Sequence, residues 1–107
     1  MDINNILKDK IMLAVENLEN QSVLPKNLKK DSITVEKPKD ESFGELSTNV
    51  SMVLAKQASI KPRDLAGYLI KILKKDTMIE SAQIAGPGFL NFIIYKQFWI
   101  KLINKIL

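Results

Sequence analysis

The stretch AGPGFLNF, residues 85–92, carries the residue types best suited to chemistry with another molecule. If FLNFIIY is a β-strand, its side chains alternate: Leu90, Phe92 and Ile94 face one way, and Phe89, Asn91, Ile93 and Tyr95 the other. Phe89 and Asn91 then stand one pleat apart on a common face. An aromatic ring stacks on an unstacked nucleobase, and a side-chain carboxamide offers that base's edge both a donor and an acceptor. A second reading makes Phe89 a core residue and Asn91 a satisfied turn or sheet residue. Composition and periodicity by themselves favour this second reading, since Phe is among the residues most often buried.

The other candidates are cations. Sixteen Lys plus Arg against twelve Asp plus Glu give a net charge of +4 and a pI near 9.3. The positive charge gathers toward the C-terminal end, where residues 82–107 carry Lys96, Lys101 and Lys105 and no acid. Such asymmetry favours polyanion partners. Lys101 and Lys105 are a like-charge pair four residues apart, costing a helix roughly 0.2–0.5 kcal/mol that a nearby polyanion relieves. The same lysines suit the solvated side of a terminal helix equally well. Only Arg63 offers a guanidinium fork; every other basic residue is Lys, a point charge.

Much chemistry is excluded. With no His and no Cys, the commonest general base, metal ligand and thiol nucleophile are missing, and disulfides with them. Asp40, Glu41 and Glu45 fall in one loop and read as solvated surface. No phosphate loop or dinucleotide fingerprint occurs; GPGF is followed by a strand pattern rather than a helix.

The elements that position the candidates follow from patterning. Ile3, Ile6, Leu7, Ile11, Ala14, Val15 and Leu18 recur at helical spacing behind Asp2, a good N-cap. ITVEK, residues 33–37, alternates as a half-buried strand. A helix is expected from Ser47 or Thr48 as cap, with Val50, Val53, Leu54 and Ala58 as its apolar stripe, stopping near Ile60. A second helix starts at Pro62 and buries Leu65, Leu69, Ile72 and Leu73. IESAQIA and FLNFIIY then form strands joined at Gly86-Pro87-Gly88, with Pro and Gly at the second and third positions of a type II turn, or a wider connection. Phe98, Trp99, Leu102, Ile103 and Ile106 make a last helix face, which runs to the final residue without a cap. At 107 residues the chain suits one domain, with no apolar run long enough for a spanning helix and no signal-peptide pattern, so the cytosol is the expected compartment.

FGELSTNVSMVLAK, then KPRDLAGYLIKIL, then AGPGFLNF, resembles in order and spacing the N-terminal additional domain of arginyl-tRNA synthetases. The resemblance implies an α+β, two-layer fold with an antiparallel sheet packed against helices. It implies a single tRNA-binding domain over 1–107, an N-terminal piece of a longer synthetase, docking on the D-loop side of the elbow of tRNA-Arg. The family's base-contacting aromatic and asparagine fall on Phe89 and Asn91, and with the resemblance included the base-reading assignment leads. Gly86, Gly88, Lys96 and Lys101 join the expected tRNA contacts; Gly44, Asn49 and Pro87 are expected to be structural. Glu45 stands where the family commonly has Asp, and Leu46 where it commonly has an aromatic. Catalysis, with ATP and arginine, belongs to a downstream domain of the same chain, so no cofactor and no catalytic residue are expected here. The alternative is a protein or interdomain interaction module using Phe89, Ile93 and Tyr95.

Overall fold

The computed structural model describes residues 2–40, 42 and 44–106, with side chains through Asn104. Glu41 of the acidic loop and the side chains of Lys105 and Ile106 therefore lie outside the described residues.

Helix α1 (Ile3–Asn20) begins at Asp2, whose carboxylate accepts from the Asn4 N–H at 2.9 Å. Its buried stripe of Leu7, Ile11, Ala14, Val15 and Leu18 is the one the spacing predicts. Strand β1 (Val35–Glu36) leads to β2 (Leu46–Thr48), followed by α2 (Val50–Ala58) and α3 (Pro62–Leu73). Strands β3 (Ile79–Ala85) and β4 (Phe89–Ile94) and then α4 (Lys96–Ile106) complete the order. The sheet is antiparallel throughout, ordered β1-β2-β4-β3, so β4 lies inside it with a partner on either side.

Helix α3 packs against α1 and α2 and lies on β3 and β4, while α2 also meets β4 and α1 meets β1, making the expected two-layer α+β architecture. Leu90, Phe92 and Ile94 point into that layer with Leu54, Leu65 and Leu69. Each such side chain contributes roughly 1.5–3 kcal/mol through burial. Phe98 and Trp99 of α4 pack against the edge of the same core.

Two expectations are corrected. Ser47 and Thr48 are strand residues rather than the start of α2; they pair with Asn91 and Leu90, and Asn49 becomes the N-cap residue. Thr48 still serves the helix, its Oγ1 accepting from the Val50 N–H at 3.2 Å. The strand expected over 33–37 is reduced to Val35–Glu36, and its start at Val35 follows from the end of its partner β2 at Thr48. Beyond that point the Asn49 side chain stands in for a backbone partner: Oδ1 accepts from the Thr34 N–H at 2.8 Å, and Nδ2 donates to the Ser32 carbonyl at 3.0 Å. Glu45 does the same at the other end of β2, its Oε1 accepting from the Ile94 N–H at 2.7 Å. This carboxylate, expected to be merely solvated, extends the ladder of a three-residue strand.

Candidate nucleic-acid interface

The face of β4 turned away from the helices carries Phe89, Asn91 and Ile93, as the alternation predicts. Phe89 is 39% exposed, and the residue directly opposite it on β3 is the small Ala85. The ring is not core. Asn91 is flanked by Ser47 on β2 and Gln83 on β3, so a polar row crosses three strands beside the ring.

Asn91 departs from the expectation of an outward-held carboxamide: it is only 6% exposed. The segment entering β2 lies beside it. Glu45 N–H donates to the Phe92 carbonyl at 2.8 Å, which draws Gly44 against β4. A β-carbon at position 44 would stand 3.3 Å from the Asn91 Cβ and 3.1 Å from the Phe92 carbonyl oxygen. Gly44, at φ +147°, combines a backbone conformation that favours glycine with an approach too close for a β-carbon. Asn91 Oδ1 is buried and has no hydrogen-bond partner among the described residues. An unsatisfied buried acceptor costs about 1–3 kcal/mol, so at this position the fold leaves a hydrogen bond unmade among the described residues.

The β3–β4 connection spans Gly86, Pro87 and Gly88, between the paired residues Ala85 and Phe89. It is the wider connection rather than a tight type II turn: Gly88 N–H donates to the Ala85 carbonyl at 3.3 Å, making Gly86 and Pro87 the central residues. Gly86 takes φ +55°, a positive value at the first central position of the kind that matches hairpin twist. Gly88 is buried, and a β-carbon there would fall 2.8 Å from Pro62 Cβ and 3.4 Å from Met52 Cγ. Packing against α3 and α2 therefore accounts for Gly88, while Gly86 is exposed with open space around it.

Comparison with known proteins places this geometry in a family. The arginyl tRNA synthetase N terminal domain family matches residues 2–94. The chain belongs to that family. It is 42% identical over 93 residues to an arginine–tRNA ligase of Jannaschia sp. (strain CCS1), covering 87% of this chain and 16% of that protein. It is 40% identical over 107 residues to the arginine–tRNA ligase of Parvibaculum lavamentivorans, covering 100% of this chain and 18% of that protein. The chain thus spans less than a fifth of the length of these relatives. The Thermus thermophilus arginyl-tRNA synthetase structure matches 94% of this chain and 15% of that one, with TM-score 0.67 at 19% identity, a likeness of fold.

In this arginyl-tRNA synthetase N-terminal domain the expected lysines stand apart from the ring. Lys96 and Lys101 are exposed on α4, past the far end of β4, which puts Lys96 roughly 20 Å along the chain direction from Phe89. Lys101 lines, with Thr77, Tyr95, Gln97 and Phe98, a depression of about 300 Å³. Asp40 remains exposed as expected; a hydrogen bond from the Ser42 hydroxyl, and then one from the Ser42 N–H, hold its carboxyl below the ordinary value.

Sequence reasoning missed three neighbours of the ring and amide. Ser47 and Gln83 flank Asn91 only through pairing that no local pattern shows. Arg63 donates from Nη1 to the Gly86 carbonyl at 2.7 Å, tying α3 to the turn that delivers Phe89. Its signal was present: it is the chain's one arginine, beside the proline that starts α3.

Proposed function

We propose that this domain recognises tRNA-Arg within an arginine–tRNA ligase, binding the D-loop side of the elbow. Phe89 stacks on a base that has left its helix, and the Asn91 carboxamide bonds that base's edge. The observation that carries this reading is the exposed Phe89 ring beside a row of polar residues that includes Asn91, whose Oδ1 has no partner among the described residues. A polar row of Ser47, Asn91 and Gln83 next to an aromatic suits a base better than an apolar partner, because a base brings both a π-face and hydrogen-bonding edges. Arginine activation with ATP, and its transfer to tRNA, belong to a catalytic domain downstream in the same cytoplasmic protein. This chain binds and positions; no chemical step is assigned to its residues.

A second reading has its own observation. Ile93, Tyr95, Ile100 and Ile103 are exposed in succession along the end of β4 and α4, and such side chains suit contact with the downstream domain. The two readings use different residues. Titrating tRNA-Arg transcript into the chain tests the first: Phe89→Ala and Asn91→Ala weaken the complex, and binding falls steeply with salt through counterion release. Undiminished binding by both variants would defeat the base-reading assignment.

A further inference from the structure

We propose that Arg63 is an RNA phosphate contact, its guanidinium receiving a phosphodiester of the nucleotide whose base stacks on Phe89. The inference rests on the base-stacking reading above. Arg63 Nη1 is bonded to the Gly86 carbonyl at 2.7 Å, and Gly86 opens the connection that ends at Phe89. The preceding residue, Pro62, meets Gly88 closely enough that a β-carbon there would fall 2.8 Å away. Two consecutive residues of α3 thus brace both glycines of the turn.

The arrangement leaves the charge of Arg63 uncommitted. A carbonyl takes up one of the five guanidinium donors and neutralises nothing. Among the described residues Arg63 forms no ion pair, whereas Lys10 and Lys30 are paired with Asp76 and Glu19. The side chain is exposed. Anchoring at Gly86 restricts its rotamers before any ligand arrives, which lowers the entropy lost on binding. The remaining edge of the planar fork matches two phosphate oxygens at once, a geometry no lysine reproduces. A nucleotide joins base and phosphate through one sugar, so a ring and a cation flanking one short turn suit its two ends.

The test is the salt dependence of tRNA-Arg transcript binding by the chain, as the slope of log K against log salt concentration. Arg63→Gln is expected to weaken binding and to reduce the slope by about 0.7–0.9, the loss of one phosphate contact. Arg63→Lys keeps the slope. Gly86→Ala, which strains the turn without removing charge, and Phe89→Ala weaken binding with the slope unchanged. Lys74→Gln, at the other end of α3 about 16 Å away, leaves both quantities unchanged. An unchanged slope for Arg63→Gln, with weakening like that of Gly86→Ala, would overturn the proposal by making Arg63 a brace for the turn alone. A reduced slope in Arg63→Gln beside full-strength binding by Phe89→Ala would support the phosphate contact and overturn the base-stacking reading, so the two failures are separable.

Discussion

Gly44 lies against Asn91, so close that a β-carbon on the glycine would stand 3.3 Å from the asparagine Cβ. Residues far apart in sequence are thereby held side by side. Gly44→Ala must adopt φ +147° and push on the Phe92 carbonyl, which would be 3.1 Å from the new carbon. We expect it to lower stability by about 1–3 kcal/mol, read as a reduced urea midpoint at unchanged m-value.

Asn91 makes a sharper prediction, because its Oδ1 is buried with no partner among the described residues. Asn91→Val removes an unsatisfied acceptor and suits a strand, so stability is expected to stay level or rise, by up to about 1 kcal/mol. Binding of tRNA-Arg is expected to weaken in the same variant. Urea unfolding and tRNA titration measure the two effects, and opposite directions mark a residue kept for recognition.

Phe89 and Phe92 share β4 but not a face: one is 39% exposed and the other 0%. Phe92→Ala should cost about 3–5 kcal/mol of stability as a core truncation. Phe89→Ala should cost far less stability yet about 1–3 kcal/mol of tRNA binding, the worth of one base stack. Calorimetric unfolding of both variants separates a core ring from a contact ring.

The short strand β2 depends on side chains at both ends. Asn49→Ala removes the partners of Thr34 N–H and Ser32 carbonyl, and Glu45→Ala removes the acceptor of Ile94 N–H. Each variant is expected to lose roughly 1–2 kcal/mol. Amide hydrogen exchange should report it locally, faster at Thr34 for Asn49→Ala and at Ile94 for Glu45→Ala.

These side-chain extensions also explain what was legible in the sequence. Long periodic segments were readable: the stripe of α1, the Pro62 start of α3, and the span of β3 all follow from local spacing. Strand β2 was not, because Leu46-Ser47-Thr48 is too short to show alternation and two of its residues are good helix caps. Only pairing with β4 makes it a strand. The family resemblance led to Phe89 and Asn91, and alternation correctly put them on one face. The depth of Asn91 was invisible, since it arises from tertiary packing that no local pattern shows. Arg63 stood out as the chain's one arginine, but its bond to the turn was not legible, because the partner carbonyl lies 23 residues away.

The central claim is that Phe89 grips one unstacked base of tRNA-Arg. The most direct measurement is a thermodynamic cycle crossing Phe89→Ala with a transcript whose exposed D-loop base is replaced by an abasic site. Removing the base is expected to cost the unaltered domain about 1–3 kcal/mol and to cost Phe89→Ala almost nothing. Two losses that simply add would contradict it, placing the base and the ring in separate contacts.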